Sequence, residues 1–258
     1  MTPPVVLTIA GSDSGGGAGI QADLKTFAAL GAYGVSVLTA ITAQNTLGVT
    51  DIHPVPARSV AAQLDAVLSD LPVAAVKVGM IADPAVARVI AERAADLPNL
   101  VVDPVLVATS GSRLGEAAVV SVLMPYASVV TPNRHEAGVL VGRRVETTAE
   151  MAAAAAELTA AGPRAVVVTG SELAVDVLWH GGRVSQLRGE PVPTANNHGS
   201  GCTFSSAIAV RLAAGDPVPD AVAAAKEYVT GALRGGAGWR LGAGPGPLDH
   251  FWNGRTAG

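Results

Sequence analysis

Two glycine-rich stretches carry the residue types from which phosphate-handling sites are built. The first, Gly11-Ser-Asp-Ser-Gly-Gly-Gly-Ala-Gly19, joins a strand-like run to a helix-like one. Glycines let backbone N–H groups approach a ligand closely, and the helix N-terminus behind them favours negative charge. It is neither of two familiar phosphate loops. A Walker A sequence needs lysine directly after Gly16 and meets Gly17; a dinucleotide G-x-G-x-x-G starting at Gly15 needs glycine directly after Gly19 and meets Ile20. A plain tight turn is the alternative. The second stretch, Asn196-Asn-His-Gly-Ser-Gly-Cys202, also opens a helix. Successive N–H groups of Gly199, Ser200, Gly201 and Cys202 can form an anion hole to which the helix dipole adds ~0.3–1 kcal/mol. Such a hole suits a phosphoryl group in flight. Against it stands the ordinary role of a lone cysteine as a small buried hydrophobe.

Thr131-Pro-Asn-Arg-His-Glu136 lies where a strand ends and a helix begins. Asn133 and Glu136 are three apart, so both can face one spot, such as a hydrated Mg²⁺, or they simply cap the helix. Asp103-Pro104, at another strand's carboxyl end, carries the same two readings. Asp23 in the first helix and Gln44-Asn45 after the second strand are polar groups in apolar surroundings. They need partners, either nearby backbone or the ring nitrogens and amino group of a heterocycle.

These residues are held by alternating β-branched runs and Ala/Leu-rich stretches, the pattern of βαβ units on a parallel sheet. Strands are expected at 5–10, 35–42, 74–78, 100–103, 128–131 and 165–169, with a hairpin at 175–179 and 183–187 around His180-Gly-Gly as an antiparallel edge. The uncharged stretch 26–50 reads as a helix end, a turn and a buried strand. The helix from Ile20 lines up Ile20, Leu24, Phe27 and Ala28, leaving Asp23 and Lys25 off the stripe centre. Asp83-Pro84 reads as an N-cap with proline at the first helical position, and Thr147 with Glu150 as a capping box. Two further helices are expected at 202–214 and 220–233.

The 258 residues suit one domain, 1–258, with no linker long enough to divide it. Charged residues make up 15% and the net charge is −4, so no basic face advertises nucleic acid or anionic lipid. A single cysteine rules out an internal disulfide and fits the cytoplasm. The N-terminus lacks the basic region of a signal peptide, and no membrane segment is expected.

Taken together, the stretch 8–27, Ala43-Gln-Asn-Thr46, Lys77-Val-Gly-Met80, Thr131-Pro-Asn133 with Glu136, and His198-Gly-Ser-Gly-Cys-Thr203 resemble the hydroxymethylpyrimidine and phosphomethylpyrimidine kinases of thiamin biosynthesis, a ribokinase-like branch. The resemblance implies a three-layer α/β/α fold around a mostly parallel sheet, often dimeric. It implies ATP and Mg²⁺ as cofactors and a small pyrimidine as substrate. Gly11, Asp23, Gln44, Met80 and Val107 would line the pyrimidine pocket, with Asp23 and Gln44 reading its polar edge. Gly199, Ser200, Gly201 and Cys202 would form the catalytic anion hole, Cys202 standing where sugar kinases carry an aspartate base. Asp103, Asn133, Glu136 and Thr169 would serve Mg·ATP, with Asp103 and Glu136 reaching the metal through water. One departure is the segment Thr169-Gly-Ser171, where many relatives have a lysine followed by glycines; another is Ser200 in place of the commoner threonine.

A thiol at a helix N-terminus is expected to have a lowered pKa and to reach thiolate near neutrality. A pyridoxal or pyridoxine kinase and a non-catalytic pyrimidine-binding module remain competing readings.

Overall fold

The computed structural model describes residues 2–106 and 117–254. Runs of valine, isoleucine and alanine give strands that bury both faces, and the intervening Ala/Leu-rich segments cover them as helices. The chain runs β1 (Val5–Asp13), α1 (Gly19–Ala29), β2 (Tyr33–Asn45), β3 (Gly48–Pro54), α2 (Ala57–Leu68), β4 (Val73–Val78), α3 (Pro84–Ala91) and β5 (Leu100–Val102). It continues through α4 (Ala117–Leu123), β6 (Val129–Val130), α5 (Arg134–Val141), α6 (Thr148–Thr159), β7 (Ala165–Val168), β8 (Val175–His180), β9 (Arg183–Arg188), α7 (Ser200–Ala213) and α8 (Val218–Gly236).

One sheet holds all nine strands in the order β3-β2-β1-β4-β5-β6-β7-β8-β9. The six from β2 to β7 are parallel, and both ends are antiparallel. The hairpin β8–β9 stands where the His180-Gly-Gly turn places it. The second antiparallel edge was not expected: β2 runs on to Asn45, turns at Thr46-Leu47 and returns as β3. Stretch 26–50 is thus not a single buried strand, because beyond Ala40 its residues alternate between buried and exposed as on an edge. Gln44 and Asn45 accordingly belong to a strand end rather than a loop. The first glycine stretch is also shorter than its sequence suggests, since Gly11, Ser12 and Asp13 continue β1.

Side chains alternate between two layers. On one face Leu7, Ile9, Val76 and Val78 pack against α2, α3 and α6 through Val60, Leu64, Ile90 and Met151. On the other, Val6, Ala75 and Val101 pack against α1, α7 and α8 through Phe27, Phe204, Ile208 and Val222. Each large aliphatic or aromatic side chain fully buried there contributes about 1.5–3 kcal/mol. Asp83 caps α3 by accepting from Ala85 N–H at 2.8 Å, and Thr147 and Glu150 form the expected capping box on α6. Among the described residues no helix is long and apolar enough to cross a membrane.

Candidate active site

Parallel strands deliver their carboxyl ends to one edge of the sheet, where Asp13 ends β1 and Met80, Asp103, Thr131 and Thr169 follow β4, β5, β6 and β7. They open into a cavity of about 510 Å³ that the start of α7 closes from the side. Gly199, Ser200, Gly201 and Cys202 all border it.

Gly199 sits at φ 85° as the N-cap of α7, in the left-handed region, and a Cβ there would collide with the Gly17 carbonyl oxygen. Only glycine lets the two glycine-rich stretches touch. Ser200 N–H donates to Asn197 O at 3.1 Å and Thr203 N–H to Gly199 O at 2.9 Å. Among the described residues nothing accepts from Gly201 or Cys202 N–H, so both donors are free for an anion on the cavity side. Ser205 Oγ, one turn into α7, donates to Asp103 Oδ2 at 3.1 Å and fixes the helix against the end of β5.

The charge around Cys202 overturns the expected thiolate. Protein atoms packed around the sulfur deprive it of solvent and push the thiol up to about 12, although part of the residue borders the cavity. The Lys77 ammonium and the Gly19 N–H favour thiolate, but Asp23 and Asp103 oppose it. Burial and two carboxylates outweigh the helix terminus here.

Gly11, Gln44 and Met80 line the cavity at the ends of β1, β2 and β4. Met80 backs Gly11, where a Cβ would lie 3.2 Å from its Sδ. Asp23 is not among the lining residues. Its carboxylate is fully buried, 2.9 and 3.0 Å from Lys77 Nζ, and accepts from Thr8 Oγ1 at 2.6 Å and Ser206 Oγ at 2.7 Å. With those partners and no surface on the cavity, Asp23 is not placed to read a ligand edge, whereas Gln44 does line the cavity. Val107 lies outside the described residues.

Asp103, Asn133, Glu136 and Thr169 also line the cavity. Asn133 and Glu136 cap α5 reciprocally: Asn133 Oδ1 accepts from Glu136 N–H at 2.9 Å, and Glu136 Oε2 accepts from Asn133 N–H at 2.9 Å. The capping alternative is therefore realised, on the cavity wall itself. Burial first, and the Asp103 charge second, push the Glu136 carboxyl to about 8; burial likewise raises Asp103, against the pull of Lys77. Two hindered carboxylates beside each other suit a divalent cation, which would neutralise both. Among the described residues no set of three or more His, Cys, Asp or Glu converges as a cage.

Three cavity residues escaped the sequence reading. Lys226 on α8 is the sole lysine or arginine among the described lining residues, against Asp13, Asp103, Glu136, Glu172, Asp176 and Glu190. Its Nζ donates to Asp176 Oδ2 at 2.7 Å, and Asp176 Oδ1 accepts from Gly170 N–H at 3.1 Å. Lys226 thus stands beside the segment that lacks the common lysine. Nothing in an alanine-rich helix singles it out. Asp13 and His198 sit inside recognised motifs but had been given no role; they bond to each other at 2.8 Å.

Comparison with known proteins agrees with this geometry. The family model described as phosphomethylpyrimidine kinase matches residues 13–249. A hydroxymethylpyrimidine/phosphomethylpyrimidine kinase of Streptomyces coelicolor is 49% identical over 98% of this chain and 96% of its own. Among solved structures, phosphomethylpyrimidine kinase from Clostridium difficile is 40% identical with a TM-score of 0.79, covering 89% of this chain and 99% of its own. A Bacillus subtilis pyridoxal kinase in an ADP complex is 37% identical with a TM-score of 0.88, covering 96% and 98%.

Proposed function

The chain belongs to the phosphomethylpyrimidine kinase family, and on that premise we infer that it is an ATP-dependent kinase of thiamin biosynthesis. It phosphorylates the hydroxymethyl group of 4-amino-5-hydroxymethyl-2-methylpyrimidine, then the resulting monophosphate to the pyrophosphate. One observation carries the reading: the free N–H groups of Gly201 and Cys202 border the same cavity as Gln44 and Met80. A phosphoryl group can therefore be stabilised beside an acceptor bound at the amide.

In the first step the alcohol oxygen attacks the γ-phosphorus, the bond to the β–γ bridging oxygen breaks, and ADP leaves. Such transfers pass through loose transition states, so donors aimed at the migrating group matter more than early proton removal. That tolerates a largely protonated Cys202, which can accept the alcohol proton only when in its scarce thiolate form. The second acceptor is a phosphate monoester, already largely ionised at pH 7, and needs no base.

Asp103 and Glu136 are the groups that would bind Mg²⁺ through water, which when bound supplies neutralisation of the phosphate charge. Six lining carboxylates against one lysine make that neutralisation necessary for a polyanionic nucleotide. Lys226 and Thr169 are assigned to the nucleotide phosphates, and Gly11, Gln44 and Met80 to the pyrimidine. We place the enzyme in the cytoplasm as a homodimer, with the whole of 1–258 as one catalytic domain.

The likeness to a pyridoxal kinase sustains a second reading, though the curated relatives favour the pyrimidine. Steady-state kcat/KM for hydroxymethylpyrimidine and for pyridoxal on purified protein decides between them. A clear preference for the pyrimidine is expected; preference for pyridoxal, or no ATP consumption with either, overturns the assignment.

A further inference from the structure

After α8 the chain runs to the β2–β3 turn and then back to the stretch that opens α7. Gly244 N–H donates to Thr46 Oγ1 at 3.2 Å, and two residues later Gly246 O accepts from His198 N–H at 3.1 Å. His198 and Pro247 form an isolated parallel bridge. Residues 240–243 on the way are exposed, so apolar burial does not set the course of this tail. Its polar contacts do.

The buried Asn196 makes most of them. Its Nδ2 donates to Gly236 O at 2.8 Å and Trp239 O at 2.9 Å, where the tail departs, and its Oδ1 accepts from Gly246 N–H at 3.0 Å, where it returns. Two carbonyls can meet only the NH₂ of an amide, and an N–H only its oxygen, so the backbone fixes which way the group faces. A Cβ at Gly246 would strike Asn196 Oδ1, so the returning chain passes as close as a backbone can.

The consequence falls on α7. Gly199 stays against Gly17 only while the residues leading to it are held. Asp13 holds them through the His198 ring at 2.8 Å, and the tail holds them with four more hydrogen bonds, three to the Asn196 amide and one from His198 N–H. Asn197 O, between those two anchors, accepts from Ser200 N–H at 3.1 Å and passes the constraint into the first turn of the helix.

We propose that Asn196 is a positioning residue for the transferred phosphoryl group: by pinning the tail at its departure and its return, it fixes the backbone entering α7 and with it the N–H groups of Gly201 and Cys202. This deepens the kinase reading and rests on it. Asn196 itself does not line the cavity, so it acts through the chain it holds.

The test measures ADP binding by calorimetry, with Mg²⁺ and hydroxymethylpyrimidine present, with and without aluminium fluoride as a mimic of the migrating phosphoryl group. Affinities, unlike rates, do not depend on how much of the protein is folded. In the wild type fluoride should tighten ADP binding. Asn196→Ala should reduce that tightening by about tenfold or more and slow the first transfer in single turnovers by about 10²-fold, the size expected of a misplaced reacting geometry. ADP affinity without fluoride and the acceptor's KM should stay within about twofold, because the lost interaction is made only in the transition state. Gly246→Ala keeps the Asn196 side chain but pushes the tail off it, and should give the same pattern; it decides the matter if Asn196→Ala does not fold. A full fluoride effect in either variant overturns the proposal, as does a loss of ADP affinity equal with and without fluoride, or a wild type in which fluoride adds nothing. Each of these leaves the kinase assignment in place when the wild type turns over. Wild-type enzyme that consumes no ATP with hydroxymethylpyrimidine or pyridoxal overturns both.

Discussion

Lys77 and Asp23 form an ion pair at 2.9 Å with both side chains wholly shielded from solvent. Lys77 lies on β4 and Asp23 on α1, so the pair joins the sheet to the helical layer that also holds α7. Removing one partner leaves an uncompensated buried charge. Lys77→Met alone and Asp23→Leu alone should each cost about 3–5 kcal/mol in urea unfolding, while the double variant should lose far less. Single variants within 1 kcal/mol of wild type would show that the pair is not the constraint described.

Cys202 should behave as a thiol of unusually high pKa. Alkylation by iodoacetamide should stay slow from pH 7 to 9, and Asp23→Asn should speed it, because Asp23 disfavours the thiolate. If Cys202 is the base for the alcohol, the first transfer should quicken as pH rises over that range, and Cys202→Ala should slow it by roughly 10²-fold and flatten the slope. The second transfer should change much less. Equal losses in single-turnover rates of the two steps would remove Cys202 from the base role.

Glu136 links stability to pH in a direction opposite to the usual carboxylate. Its pKa rises from 4.5 to about 8 on folding, so between those values the folded chain holds a proton that the unfolded chain lacks. Stability from this group is fully present below about 4.5 and is lost as pH climbs through about 8. Glu136→Gln should flatten that decline in melting experiments on the free protein. Binding of Mg·ATP at pH 7 should release protons, seen by calorimetry in buffers of different ionisation enthalpy; no release would argue against a cation at Asp103 and Glu136.

Gly199 and Gly142 separate backbone strain from loop contact. Both have positive φ, but a Cβ at Gly142 meets nothing within 4 Å, whereas one at Gly199 strikes Gly17. Gly142→Ala should cost roughly 1–2 kcal/mol and leave kcat unchanged. Gly199→Ala should in addition lower kcat by about 10²–10³-fold, as expected when anion-hole donors are misplaced.

Lys226 is expected to serve the nucleotide. Lys226→Met should raise the KM for ATP by about tenfold or more, in line with a charge-assisted hydrogen bond of about 1.5–3 kcal/mol, and leave the acceptor's KM alone. An effect confined to the acceptor would reassign it.

What could be read from the chain alone was what neighbouring residues decide together. Strand runs, the Asp83 and Thr147 caps and the two glycine stretches each depend on a few consecutive side chains, so their order and the ribokinase-like architecture were legible. So was the placing of Gly199 to Cys202 at a helix start. The tertiary structure alone decided which polar groups meet. Asp23 and Lys77 are 54 residues apart and Asp13 and His198 are 185 apart, and no local pattern distinguishes a carboxylate that reads a ligand from one that neutralises a buried lysine. The same holds for charge state. Helix position alone predicts a reactive thiol at Cys202, but its pKa reflects burial and every charge nearby, contributed by β4, α1 and the end of β5. Hydrogen-bonded turns are encoded over three or four residues, whereas an electrostatic environment is a sum over the whole fold.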